Sequence, residues 1–307
     1  MNILKKIHRF LLIKYADWIT SFSLRKKAGI LFYIYFNKKL NWKNPTDINE
    51  KINWLKFYSD TSHWTELADK IRVRDFVKSK GWEDILIPVW GQWNNVNLID
   101  WDKLPEPFVL KTNNASGDVI MCHDKSKLSI TEINERLNVL MNTKFGKRFA
   151  EPHYDKIIPT IYAEKMLDIN RQAFKSSSLI DYKIWTFNGK PEYVFLCFNR
   201  TKDTLNVALF DIEWNPHPEL LNKTKHIVPE FNNVNKPHNL EKMLKIAGDL
   251  SVGFPQMRVD LYEVEGKVYF GEITLTSAAG FMDYFTQDAL KILGQHCDLN
   301  IAKTHTH

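Results

Sequence analysis

Near its end the chain reads RVDLYEVEGKVYFGEITLTSAAGF, residues 258–281, and four side chains there could do chemistry together: Arg258, Asp260, Glu272 and Thr274. Val259, Leu261, Tyr262 and Val264, then Val268, Tyr269 and Phe270, predict two β-strands joined by a turn at Glu265-Gly266-Lys267. Side chains two apart on a strand share a face, so Arg258 lies with Asp260, and Glu272 with Thr274. Two carboxylates at close range repel unless a cation sits between them or one keeps a proton. Oxygen ligands at this spacing suit Mg²⁺, which keeps positions for water and phosphate oxygens. Arg258 on the same face would hold a phosphate or carboxylate. A structural salt bridge from Arg258 would produce the same pattern. Loss of either acid is expected to abolish turnover and leave the fold largely intact.

Earlier stretches carry matching chemistry. In FVLKTNNASGDVIMC, a strand ends near Lys111 and the small residues Asn113 to Gly117 follow, including Ser116. Small residues let backbone N–H groups approach a phosphate, and Lys111 adds a point charge. Neither GxxxxGK[ST] nor GxGxxG is present, and an ordinary hairpin loop would read the same way. In YAEKMLD, Glu164 closes an apolar strand, followed by Lys165, Met166 and Leu167. A carboxylate and exposed backbone there can bind an adenine amino group and ring nitrogen; a surface glutamate is the alternative. ADKIRVRDFV places Lys70 and Arg74 four apart, on one face if the segment is helical. Lys183, near Asp181, stands in an otherwise apolar strand and points either to a site or to solvent.

The elements that must position these groups are of both kinds. Residues 1 to about 80 read as helical, with INEKINWLKFY after Pro45 and Asp47, and a further helix from Leu67 to Lys80 ended by Gly81. From Ile85 the texture changes to strands: Ile85–Trp90, Phe108–Lys111, Val119–Cys122, Ile161–Met166, then a hairpin of Tyr182–Phe187 and Pro191–Phe198 turning at Asn188-Gly189. Helices are expected over residues 130–142 and 240–250. The class is α+β, with a helical N-terminal part followed by a mixed sheet.

Composition sets bounds. At 44% hydrophobic and 13% aromatic, 307 residues can bury one large core or two smaller ones. A net charge of +6 falls short of a dedicated nucleic-acid binder, so no nucleic-acid partner is expected; it suits anionic ligands or an anionic membrane surface. Cys122, Cys197 and Cys297 are far apart and odd in number, which fits a reducing compartment, read as cytoplasmic. No paired zinc spacing and no apolar run long enough to span a membrane occur. At the N-terminus Ile3, Leu4, Ile7, Phe10, Leu11, Tyr15 and Trp18 recur at helical spacing, with Lys5, Lys6, Arg9 and Lys14 on other faces. This apolar face is expected to pack on its own domain; the alternative is peripheral contact of residues 1–36 with the inner face of the cytoplasmic membrane.

Taken in order, Asp69-Lys70, the strand Lys111 with its small-residue loop, Glu164-Lys165 with Leu167, and Arg258, Asp260, Glu272 and Thr274 before a glycine resemble the ATP-grasp superfamily of carboxylate–amine ligases. NPTDINEKINWLKFY, LADKIRVRDFV, ILIPVWG, LPEPFVLKTNNASG, DYKIWTFNGKPEYV and VYFGEITLTSAAGF, spanning roughly residues 41–281, are similar to the TupA-like ATP-grasp proteins of bacterial surface-polysaccharide biosynthesis. The resemblance implies an ATP-grasp fold of two α+β lobes clasping ATP: a helical region over 1–66, a lobe with a lid loop over 67–163, and a lobe with the metal site over 164–307. It implies that Lys70 and Lys111 contact ATP phosphates, Lys111 also lying near the adenine, that Asn113, Ser116 and Gly117 belong to a lid, and that Glu164 accepts from the adenine amino group. The backbone of Lys165 and Leu167 would line the base, and Asp168 would reach the ribose. Lys183 would approach the γ-phosphate. Asp260 and Glu272, with Thr274 where many relatives have Asn, would bind Mg²⁺, as two ions. Arg258 would hold the transferred phosphate. The activity implied is amide formation through an acyl phosphate, joining an amino acid or amino sugar to a carboxylate-bearing sugar such as a uronic acid, for capsule or O-antigen. A sugar kinase using the same ATP site, or a glycosyltransferase of the same pathway, is the alternative.

Overall fold

In the computed structural model, which describes residues 3–114 and 119–302, five helices come first: α1 (Ile3–Ile19), α2 (Leu24–Phe36), α3 (Ile48–Tyr58), α4 (Trp64–Ala68) and α5 (Val73–Ser79). Then come β1 (Val89–Trp93), β2 (Phe108–Thr112), β3 (Val119–Cys122), α6 (Ile130–Asn142), α7 (Phe145–Phe149) and β4 (Ile161–Lys165). The second half holds β5 (Asp181–Phe187), β6 (Lys190–Phe198), β7 (Leu205–Asp211), β8 (Ile227–Pro229), α8 (Leu240–Ser251), β9 (Met257–Val264), β10 (Lys267–Thr274) and α9 (Gln287–His296).

Two sheets organise the chain. The first has order β1-β4-β2-β3, antiparallel throughout. Phe108, Leu110, Ile161 and Ala163 turn to one side of it and pack with Ile133 and Leu137 of α6. The second has order β10-β9-β5-β6-β7-β8, antiparallel except for the short edge pair β7–β8. Met243, Ile246 and Leu250 of α8 join Ile184, Val194 and Val259 of this sheet in the main core, which also takes in Ile48, Ile52 and Leu55 of α3. Ile87, Leu167 and Val264 form a small cluster that ties the two sheets together.

Local chemistry accounts for the elements. Asp47 caps α3, accepting from the Glu50 N–H at 2.9 Å, and Ser129 caps α6. Both hairpins turn through two left-handed residues, Asn188-Gly189 (φ 48° and 82°) and Glu265-Gly266 (φ 55° and 69°), as two-residue hairpins prefer. The expected helix over Leu67–Lys80 is instead two short helices. Asp69 breaks it: its Oδ1 accepts from the N–H groups of Ile71 and Arg72 at 2.9 and 3.2 Å, so Lys70 sits between α4 and α5, not on a helix. The strand expected at Ile85–Trp90 begins only at Val89, because Pro88 has no N–H for the ladder. No sequence pattern predicts α7, β7, β8 or α9.

Candidate active site

β9 and β10 pair so that Asp260 faces Glu272 and Arg258 faces Thr274. Strict alternation would not achieve this. Tyr269 faces Tyr262 and Phe270 faces Leu261 in the core, so two more residues in phase would turn Glu272 into the core as well. A β-bulge between Phe270 and Glu272 takes up Gly271 as an extra residue and returns Glu272 to the face of Asp260. A Cβ at Gly271 would lie 2.9 Å from the Asp260 carbonyl oxygen and 3.0 Å from the Tyr262 ring, so only glycine lets the strands close here.

Around Asp260 the web is tight. Arg258 donates from Nε to Oδ1 at 2.7 Å and from Nη2 to Oδ2 at 2.8 Å. Lys183, opposite Asp260 on β5, donates to Oδ2 as well and pairs with Asp181. Arg258 also reaches the Thr274 hydroxyl at 2.9 Å and the Ser277 hydroxyl at 3.3 Å. Glu272 is held more loosely, 3.5 Å from Arg258 and 3.6 Å from Lys70, and its side chain is 33% exposed where that of Asp260 is 1%.

Burial presses the Asp260 carboxyl upward, but Arg258 and Lys183 outweigh it and hold it below its ordinary value. Asp181 moves the other way: burial lifts it against the pull of Lys183, with Asp260 adding to the lift. Burial opposes the charge on Lys183, yet Asp181 and Asp260 raise its pKa. Asp260 is thus kept ionised among apolar neighbours by the protein's own cations. That also revises the expected outcome of removing it: with Asp260 gone, Arg258 and Lys183 would be left buried without their shared acid, so the fold would suffer along with the chemistry.

A second pair lies on the other sheet. Lys111 on β2 donates to Glu164 on neighbouring β4. Ile161 and Ala163 take the core side of β4, which leaves Tyr162 and Glu164 on the opposite side. Tyr162 and Tyr262 feel the charge of both groups. Burial raises both hydroxyls well above the usual range, and each is raised further by acids of both sheets: Glu164 and Glu272 for Tyr162, Asp181, Glu272, Asp260 and Glu164 for Tyr262. Arg74 stands near the same pair; burial lowers it, and Glu164 counteracts this.

The remaining expected residues are placed as follows. The Asn113 side chain is engaged inward, donating to the Ile158 carbonyl at 3.0 Å and accepting from the Thr160 N–H at 2.7 Å, while its own carbonyl accepts from the Lys70 N–H at 3.4 Å. Ser116 and Gly117 lie outside the described residues. The Lys165 N–H donates to the Pro88 carbonyl at 2.9 Å, and Leu167 is buried in the cluster between the sheets. Asp168, expected at the ribose, caps its own turn, accepting from Asn170 at 2.9 Å with Arg171 3.6 Å away.

Sequence reasoning missed a buried polar group beside the site. Glu151 accepts from the Thr276 hydroxyl, and Lys56 donates to the Ala279 carbonyl at 2.9 Å. Burial lowers the Lys56 pKa to about 7 against the attraction of Glu151. Burial, then Lys56 and Lys156, lower His153 to about 3, and neither of its ring nitrogens has a partner among the described residues. Burial raises the Tyr154 hydroxyl well above its usual range, with Glu151 and Glu272 adding to the lift. The one available signal was the period-two spacing of Tyr162 with Glu164 and of Tyr262 with Asp260; nothing local marks Lys56, Glu151 or His153.

The acids of both sheets are therefore each paired with a base: Glu164 with Lys111, Asp260 with Arg258 and Lys183, and Glu272 with Lys70 from the loop between α4 and α5. A sequence model of TupA-like ATP-grasp proteins matches residues 50–298. The chain belongs to the TupA-like ATP-grasp family. Membership gives it the ATP-grasp fold and makes it an ATP-grasp enzyme. No curated protein gives a significant match. Among solved structures, D-alanine–D-alanine ligase from Bacillus anthracis is 17% identical, over 80% of this chain and 71% of that one, with a TM-score of 0.43. The same enzyme from Helicobacter pylori is 13% identical, over 82% and 67%, with a TM-score of 0.42. L-amino acid ligase from Bacillus licheniformis is 12% identical, over 81% of this chain and only 54% of its own, with a TM-score of 0.44. What those enzymes join says nothing about what this family member joins.

Among the described residues, no group of three or more His, Cys, Asp or Glu side chains is placed to hold a metal ion. Asp260, Glu272 and the Thr274 hydroxyl make a smaller, all-oxygen set. That set fits Mg²⁺, which takes few protein ligands and completes its shell with water and phosphate oxygens. The loosely held Glu272 is the ligand most ready to serve.

Proposed function

We propose that this chain is an ATP- and Mg²⁺-dependent carboxylate–amine ligase that forms an amide, attaching an amino acid or amino sugar to a uronic acid in the assembly of a capsular or O-antigen polysaccharide. The observation that carries the reading is the facing of Glu272 and Asp260 across the bulge, inside a band where every acid is paired with a base. A magnesium nucleotide could exchange those partners: Asp260, Glu272 and Thr274 would hold the ion, while Lys70, Lys111, Lys183 and Arg258 would take phosphate oxygens. The ion would supply charge neutralisation on the phosphoryl oxygens. Holding an ion would require Asp260 and Thr274 to turn from Arg258, and the family resemblance implies a second ion beside the first.

The chain's own residues would then position and shield. Arg258 and Lys183, buried and charged, offer fixed donors to a transferring phosphoryl group without reorganising at that moment. Glu164, Lys165 and Leu167 would receive the base. Tyr162 and Tyr262 would line the interval between base and phosphates and keep water from an acyl phosphate. The polysaccharide setting follows the family resemblance.

The test is ADP release measured with a uronic acid and an amine together and with each alone, followed by mass spectrometry. Release that requires both, with an amide product, is the expected result. ADP formed with the sugar alone, and a phosphorylated product, would make the enzyme a kinase.

A further inference from the structure

The amphipathic face of α1 is turned the wrong way for a helix that packs on its own domain. Leu11, Tyr15, Trp18 and Phe22 follow at i, i+4, i+7 and i+11, and they are 59%, 49%, 60% and 69% exposed. Tyr15 stacks on Trp18 with centroids 5.7 Å apart, and Trp18 meets Phe22 at 5.0 Å, so the stripe is a continuous aromatic ridge. The helix is attached by its other side. Ala16 and Ile19 are buried there, Ala16 in a cluster with Leu31 and Phe32 of α2, and Asp17 lies 3.5 Å from the Lys27 ammonium. The expectation that Leu11, Tyr15 and Trp18 form the packing face is therefore reversed.

Charge is concentrated in the same stretch of sequence, with Lys27 buried beside Asp17 and Lys38 paired with Asp47 and Glu50. Residues 1–40 hold nine Lys and Arg against the single acid Asp17, a balance of +8. The whole chain carries +6, so residues 41–307 are net −2, and the basic character of the protein belongs entirely to its N-terminal helices. Beside the ridge, Arg25, Lys26 and Lys39 line a groove of about 610 Å³ with Tyr33, Trp42 and Tyr58. Among the described residues no helix is long and apolar enough to cross a membrane.

We propose that the α1–α2 face docks on the surface of an anionic lipid bilayer, with the ridge at the acyl boundary and the basic groove against headgroup phosphates. Trp and Tyr favour that interface, because their rings are apolar and their tips polar. A helix with bulky apolar residues on one side and Lys and Arg around them lies in the plane of such a surface. Pairing with a second copy of the chain through this face would bring two strongly positive surfaces together, whereas an anionic membrane supplies the opposite charge.

The experiment is flotation of the full chain with vesicles of phosphatidylcholine alone and with vesicles enriched in phosphatidylglycerol. Binding to the anionic vesicles only is expected, falling about tenfold or more as salt rises and the Debye length shrinks from ~10 to ~3 Å. The variant Leu11→Ser/Trp18→Ser/Phe22→Ser should lose flotation about tenfold or more by exposing less apolar area, with an unchanged melting curve. Arg25→Glu/Lys26→Glu leaves the ridge intact and should lose it too, which keeps the test valid if the triple variant misfolds. No flotation with anionic vesicles, equal flotation with neutral ones, or a dimer in ultracentrifugation that the triple variant dissolves, would each overturn the proposal.

Discussion

The four-stranded sheet offers one acid to one lysine, Glu164 to Lys111, whereas the six-stranded sheet grips Asp260 with Arg258 and Lys183 together and braces them against Asp181, Thr274 and Ser277. A single pair opens by one rotamer change. The braced web cannot release one member without leaving another buried and unpaired. Under the proposed roles, the single pair would adapt to bound ATP while the braced web would already be in place for phosphoryl transfer. Glu272 belongs to the second group by position, but its longer, partly exposed pairings set it apart from both.

The sharpest way to break this contrast is Asp260→Ala. It should destabilise the chain by ~3–5 kcal/mol, as expected when one partner of a buried ion pair is removed, and abolish ADP release. A urea unfolding curve like that of the wild type would show that the web is not braced as described. Glu272→Gln separates chemistry from folding. Its stability should stay within ~1 kcal/mol, as for other partly exposed changes, while ADP release falls on the order of 10²-fold or more. Smaller still is Lys111→Met, which should raise the KM for ATP about ten- to a hundredfold, the worth of one charged hydrogen bond, and change kcat little. A dominant kcat loss would show that Lys111 acts on the transferring phosphoryl group and not only on bound ATP, and would erase the distinction between the sheets.

At neutral pH the mildest effect comes from His153. Folding keeps it neutral down to about 3, while the unfolded chain takes up a proton below the ordinary histidine pKa. Its contribution is therefore lost as pH falls, by ~1.4 kcal/mol per pH unit between ~6.5 and ~4. Asp181 and Glu151, both raised by burial, act in the opposite sense. The reading is accordingly the stability difference between wild type and His153→Phe, which should shift against the wild type on acidification. A constant difference from pH 7 to pH 4 would contradict the burial described.

What could be read in advance was local. The hairpins at Asn188-Gly189 and Glu265-Gly266, the helix Ile48–Tyr58 with its Asp47 cap, and the acid-bearing strands all follow from short patterns. Lys183 was visible as a charge in an apolar strand, but its partnership with Asp260, 77 residues away, is a product of strand order. Lys56, Glu151 and His153 meet through helix–loop packing that no periodicity announces. Amphipathicity located the apolar face of α1, but the expectation that its own domain covers it failed, because a helical stripe looks the same whether protein or something else lies against it.

Gly271 adds one consequence for how the enzyme could tolerate sequence drift. Any side chain there would push into the Asp260 backbone, so substitution threatens the meeting of the two acids. Excision of the residue is another matter: a strand shorter by one would run on regularly from Phe270 and still present Glu272 opposite Asp260 and Ile273 opposite Val259. At this position an omission should be gentler than an exchange.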